Sequence, residues 1–241
     1  MKKIFFIVIF LFNISILNAK VFLISENSFA CKDFVKGLKI SGVSFAKNIN
    51  IANTILTCGN VDFKKIFKKN LPIYSVFAYL CDKKDKLQMV LLKLPSINDQ
   101  IKLIDKSTGK KNIYGILLSS KNKIKYIKSL KLKNLKLYKI NSFSEIPYKI
   151  DKALKECNII LLYPDKFLKN KLILQFIIKK IILSGKSYIA YSKKFLELGA
   201  KGVIITDYFK EGKRFADIIN SKRRDVKILT PKFFKFITNK N

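Results

Sequence analysis

Histidine is absent from the 241 residues of this chain, and that gap removes most hydrolytic chemistry. Without an imidazole there is no base for a Ser-His-Asp or Cys-His nucleophile, and the common zinc sites lose a ligand type. The glycine patterns GxGxxG and GxxxxGK[ST], which cradle nucleotide phosphates, are missing too. The four cysteines, at 31, 58, 81 and 157, show no CxxC spacing. Carboxylates are scarce, with 16 acidic residues against 49 lysines and arginines and a formal net charge of +33. Such a charge ordinarily raises nucleic acid or an acidic membrane surface as partner. Here nearly all of it is lysine, dispersed along almost every expected helix instead of gathered into an arginine stripe. It reads as solvated surface, with no specific nucleic-acid partner and no cofactor expected.

Long apolar runs are also rare, with one exception at the start. Met1-Lys2-Lys3 leads into an unbroken apolar stretch over 4–12, and Asn18-Ala19 ends on a small residue. This is the pattern of a secretory signal peptide over 1–19. A membrane anchor is the competing reading, but the run is shorter than the roughly 20 residues of a span. No cysteine follows the expected cut, so there is no lipoprotein box. The mature chain is therefore expected to be periplasmic or otherwise exported, without stable membrane insertion after cleavage. In an oxidising compartment an even cysteine count permits disulfides. Cys58 and Cys81 fall at or just beyond expected strand ends and are the candidate pair, with Cys31 and Cys157 packing on helix faces. The alternative is that all four are small buried apolar side chains.

Residues 158–220 carry one plan three times: an apolar run, a polar turn, an amphipathic helix. The runs at 159–163, 187–191 and 202–206 are too short for helices and are apolar at successive positions, as in strands buried on both faces. Helices are expected over 169–185, 193–200 and 209–220, the first two stopped by Gly185 and Gly199. Parallel strands need crossover helices, so this order predicts an α/β sheet covered on both faces. In such sheets ligands sit at the carboxyl ends of the strands. Those ends read Tyr163-Pro164-Asp165, Tyr191-Ser192 and Thr206-Asp207-Tyr208. Asp165, Ser192 and Asp207 can cap helices, line a crevice, or do both.

The segment Tyr163-Pro164-Asp165, the strand and turn from Ile189 to Ala200, and the helix start Asp207-Tyr208 with Gly212 one turn in resemble a known family. They are similar to the second lobe of ABC-transporter substrate-binding proteins of the tryptophan/tyrosine-binding type. The resemblance is strong after Ile113 and loose before it. It implies an α/β fold of two Rossmann-like lobes with mainly parallel sheets joined by a hinge, the type I periplasmic-binding-protein arrangement. The lobes would span 20–110 and 111–225, with a tail over 226–241 returning toward the hinge. In the first lobe, strands are expected over 21–24, 43–46, 54–58 and 73–78, with helices over 29–40 and 61–69. Only about seven residues join the runs at 43–46 and 54–58, where a parallel crossover needs a dozen or more. Either the usual helix is lost and one run is not a parallel strand, or the lobe is trimmed. Asn60 stands where the family usually has threonine, and the loop Ser119-Ser120-Lys121-Asn122 lacks the family's proline.

What the resemblance implies for function is an exported solute-binding protein, not an enzyme, that captures an amino acid or similar small-molecule ligand for an ABC transporter permease or membrane sensor. Ser25, Asn27, Asn60 and Tyr79 of the first lobe would face Ser119, Asn122, Asp165, Tyr191, Ser192, Asp207 and Tyr208 of the second. Ser25, Asn60, Ser119 and Asn122 would hold a carboxylate or carbonyl, Asp165 or Asp207 an ammonium, and Tyr79, Tyr191 or Tyr208 an apolar part. Cleft aspartates favour a cationic or zwitterionic ligand over a pure anion. The alternatives are a nucleotide- or sugar-dependent α/β transferase and a basic protein bound to anionic envelope polymers.

Overall fold

The apolar runs fold as strands and the lysine-rich amphipathic segments as helices. In chain order these are β1 (Lys20–Ser25), α1 (Phe29–Ile40), β2 (Ser44–Phe45), β3 (Thr54–Cys58), β4 (Ile73–Ala78), β5 (Met89–Leu92) and α2 (Ile97–Thr108). Then follow β6 (Tyr114–Leu118), α3 (Lys121–Ser129), β7 (Leu135–Lys139), α4 (Ile146–Glu156), β8 (Ile159–Leu161), α5 (Lys171–Leu183) and β9 (Ser187–Ala190). The chain ends through α6 (Lys194–Glu197), β10 (Gly202–Thr206), α7 (Tyr208–Asn220), β11 (Ile228–Leu229) and β12 (Phe234–Thr238). The structure, a computed structural model, describes residues 20–25, 27–59, 71, 73–78, 89–92, 94–221 and 228–238. The signal peptide expected over 1–19, the helix expected over 61–69, and Asn60, Tyr79 and Cys81 lie outside those residues.

The strands form two six-stranded sheets, ordered β11-β5-β4-β3-β1-β2 and β12-β10-β9-β8-β6-β7. Every pairing is parallel except that of β12 with β10, which runs antiparallel. This is the expected pair of mainly parallel α/β sheets. Helix starts follow the polar residues before them. Ser28 accepts from the Cys31 amide to open α1, and Ser96 and Asp99 exchange bonds at the start of α2 as a capping-box variant. The second sheet has a core on each face. One core gathers Ile150, Leu154, Ile177, Ile181 and Tyr188, the other Ile97, Ile104, Tyr114, Ile116 and Ile127.

Helices are exchanged between the sheets. α2 follows β5 of the first sheet yet buries Ile97, Ile101 and Ile104 against Tyr114 and Ile116 of the second. α7 follows β10 of the second sheet yet buries Phe215, Ala216 and Ile219 with Phe34, Leu38 and Tyr74 of the first. α1 and α7 meet backbone to backbone. A Cβ on Gly212 would sit 2.1 Å from the Phe34 carbonyl oxygen, and one on Gly37 2.3 Å from that of Phe209. The chain therefore passes between sheets before α2, at the start of α7, and again between β11 and β12. Buried Glu211 ties the last two passages together. Its carboxylate accepts from the Lys232 and Phe233 amides and from Arg214 Nε at 2.9 Å, while Arg214 Nη2 donates to the Thr230 carbonyl at 3.1 Å.

One expectation for the first lobe needs correction, and one open alternative is decided. The disulfide joins Cys31 to Cys58, with Cα atoms 5.8 Å apart, and not Cys58 to Cys81. Cys58 ends β3 directly opposite Ser25, the last residue of β1. The chain turns at Ser25 into α1, so the buried face of the first helical turn brings Cys31 over the end of β3. Cys31 is on a helix face as expected, but that face meets a second thiol. Cys157 is a buried free thiol. The short crossover is resolved by a short strand. β2 pairs only with Lys20 and Val21, at the very start of β1, while β3 begins opposite Val21 on the other side. The return therefore has almost no height to recover, and a single 3₁₀ turn at Ile49–Ile51 replaces the crossover helix. Both runs are parallel strands, and the lobe is trimmed.

Candidate functional site

The carboxyl ends of β6, β8 and β9 bring together residues far apart in sequence. β8 ends at Leu161 and leads through Pro164 to Asp165, which starts a 3₁₀ turn at Lys166–Lys169 but makes no side-chain bond to cap it. Its carboxylate instead crosses to the loop after β6. It accepts from the Ser119 hydroxyl, from the Ser119 amide at 3.3 Å and from the Ser120 amide at 3.4 Å. Ser120 is the N-terminal flanking residue of α3 and offers no side-chain cap of its own. Asp165 thus supplies a negative charge to the unpaired amides of another helix, where the helix dipole favours it.

Lys123, in the first turn of α3, closes the network from the other side. Its ammonium donates to the Pro164 carbonyl and lies 3.9 Å from Asp165 Oδ2. The Asp165 side chain is fully buried and that of Lys123 is 11% exposed. Burial holds the Lys123 ammonium below the ordinary lysine value; Asp165 offsets part of that, and nearby Lys169 adds to it. The Tyr191 ring, just beyond β9, is half-buried and 5.2 Å from the Phe195 ring. Ser120, Lys123, Asp165, Lys169 and Tyr191 line one cavity of about 370 Å³. Its remaining walls are Pro164, Lys166 and Leu168.

Of the expected site residues, Ser119, Asp165 and Tyr191 meet in this region. Asn122 is exposed on the first turn of α3, and Ser192 offers its carbonyl to the Phe195 amide at 3.0 Å to open α6; neither lines the cavity. Asp207 caps its own helix, accepting from the Lys210 amide at 3.0 Å, and its amide donates to Phe233 O at 2.8 Å. Tyr208 packs against the first-sheet core. Both belong to the passage between sheets. Ser25 and Asn27 line a separate concavity of about 440 Å³ with Leu23, Cys31 and Lys32 in the first lobe. An apolar groove of about 380 Å³ along α5, lined by Leu174, Ile178, Ile182 and Leu198, lies away from the strand ends.

Sequence reasoning missed Ser120, Lys123, Lys166 and Lys169. Nothing in the sequence separates these lysines from the many others, because their role depends on which loops lie side by side. Among the described residues there is no cluster of three or more cysteine or acidic side chains able to hold a metal ion.

No protein-family model matches the chain. No characterised protein matches it by sequence. Solved structures match it over nearly its whole length. A conserved domain protein from Vibrio cholerae superposes with a TM-score of 0.59 at 15% identity, covering 92% of each chain. A substrate-binding protein with adhesive properties from Clostridium difficile, in its ligand-free open form, gives the same 0.59, 15% and 92% of each chain. An ABC domain from Streptococcus pneumoniae in complex with L-Trp gives 0.55 at 13% identity, covering 91% of this chain and 92% of the other. At such identities the likeness establishes the fold, which is the two-lobed α/β arrangement of periplasmic binding proteins.

Proposed function

We propose that the chain is an exported solute-binding protein that holds a small organic ligand between its lobes for a transporter or sensor in the membrane. The observation that carries this reading is the interlocked Ser119–Asp165–Lys123 network, which fixes two strand-end loops beside a cavity. That is where open parallel sheets bind ligands, and ligand sites combine an apolar wall with a few placed polar groups. Ser25 and Asn27 are the first-lobe groups proposed to meet the ligand from the other side. The S. pneumoniae neighbour was solved with L-Trp and the C. difficile neighbour is a substrate-binding protein, which supports the same role here. Fold alone does not establish function; the site beside the cavity is the stronger support.

Export is supported by two independent features. Met1 to Ala19 has the pattern of a signal peptide, and the Cys31–Cys58 disulfide is a bond of oxidising compartments. The test is a thermal-shift screen of protein recovered from the periplasm, against amino acids, sugars, nucleobases and organic acids. A ligand at about a hundred times its dissociation constant adds roughly 2.7 kcal/mol, which is several degrees for a chain of this size. A cooperative melt that no solute moves contradicts the reading.

A further inference from the structure

The cavity at the ends of β6, β8 and β9 carries an unusual charge balance. Three of its lining side chains are ammonium groups, Lys123, Lys166 and Lys169, and one is a carboxylate, Asp165, so three minus one leaves a formal +2. The carboxylate is already spent within the protein. Both its oxygens are engaged by Ser119, Ser120 and Lys123, and its side chain is fully buried. A ligand ammonium entering the cavity would have to displace Lys123 from Asp165 and would meet Lys166 and Lys169. Those two lysines are exposed and have no ion-pair partner among the described residues. The Tyr191 ring, Leu168 and Pro164 supply an apolar wall beside them.

We propose that this cavity selects a small organic oxyanion, with its carboxylate or phosphate between Lys166 and Lys169 and its apolar body against Tyr191. The proposal rests on the solute-binding reading and sharpens it, because it replaces the ammonium receptor with an anion receptor. Asp165 has a positioning role: it locks the loop after β6 and holds Lys123 at the cavity floor. An anion set against the lysines also relieves their mutual repulsion, in keeping with the part Lys169 plays in lowering the Lys123 value. Lysine acts in such a site as a point charge, so carboxylate and phosphate are both accommodated.

The test compares ring-matched probes of different charge on the periplasmic protein by titration calorimetry: phenylacetate, phenyl phosphate, phenylalanine and phenethylamine, with galactose and L-tryptophan alongside. The two anions are expected to bind more tightly than phenylalanine, and phenethylamine least; the better anion shows which headgroup is preferred. The Lys166→Gln/Lys169→Gln variant changes only exposed side chains and leaves the melting temperature in place. It is expected to weaken anion binding about tenfold or more, as losing charged contacts does. Phenethylamine binding as tightly as phenylacetate, no binding by either anion, or anion affinity unchanged in the double variant overturns the proposal. If galactose or L-tryptophan still binds in that case, the solute-binding reading survives; if no probe binds, and the wider screen is also flat, both fall.

Discussion

The two lobes are built to the same strand-and-helix plan but held together by different means. The second sheet is covered by packed cores on both faces, with Tyr114 and Tyr188 fully buried in them. The first relies on a covalent bond within it and on a helix from far along the chain. Its β2 is only two residues long, its α1 is bonded covalently to β3, and a large share of its core comes from α7, more than a hundred residues later in the chain. Small units bury a smaller fraction of the surface that their chain exposes, and among the described residues a disulfide and a distant helix add to what this lobe buries.

Removing Glu211 should do most to break that arrangement. Its carboxylate is fully buried and joins Arg214 to the passage between β11 and β12. Glu211→Ala strands the Arg214 charge and two amides, so a loss of about 3–5 kcal/mol in urea unfolding is expected. The helix contact is sensitive as well. Ala ordinarily gains about 1 kcal/mol over Gly inside a helix, yet Gly37→Ala places a methyl against the Phe209 carbonyl and should cost about 1–3 kcal/mol instead. An equal or higher urea midpoint would show that α1 and α7 do not meet so closely.

Reduction of Cys31–Cys58, which closes a separation of 27 residues, should lower stability by about 3 kcal/mol. Hydrogen exchange is expected to quicken in α1 and β3 well before β6 and β8. Alkaline pH probes the other lobe. Burial pushes the Tyr188 hydroxyl up to about 12 from the ordinary 10, so in that window the native state keeps a proton that the unfolded state releases. Stability therefore falls as pH rises from 10 toward 12. Tyr188→Phe should flatten that slope while costing about 1 kcal/mol at neutral pH through the lost bond to the Leu198 carbonyl.

Much of this comparison was legible in the sequence. The strands at 54–58, 73–78 and 202–206 fall where the apolar runs stand, because successive β-branched residues have one good use in a parallel sheet. The helix stops at Gly185 and Gly199, each at positive φ, followed from local chemistry. What was not legible depends on which segments become neighbours. Cys31 is 27 positions from Cys58, and only the adjacency of β1 and β3 makes them a pair. Asp165 could be expected to cap the turn that follows it, yet its carboxylate reaches the loop 46 residues earlier. Asp207, with the same residue type in a similar setting, does cap its own helix. Local propensity cannot tell these two aspartates apart; the strand order of the sheet does.

The account rests on ligand capture at the strand ends, and amide hydrogen exchange with and without a saturating solute, the one giving the largest melting shift, tests it directly. Protection should rise at residues 119–123 and 165–169 and at Tyr191 in the second lobe, and at Ser25 and Asn27 in the first. Protection confined to α5 or to the outer helices, with both sets of strand-end loops exchanging as before, would contradict it.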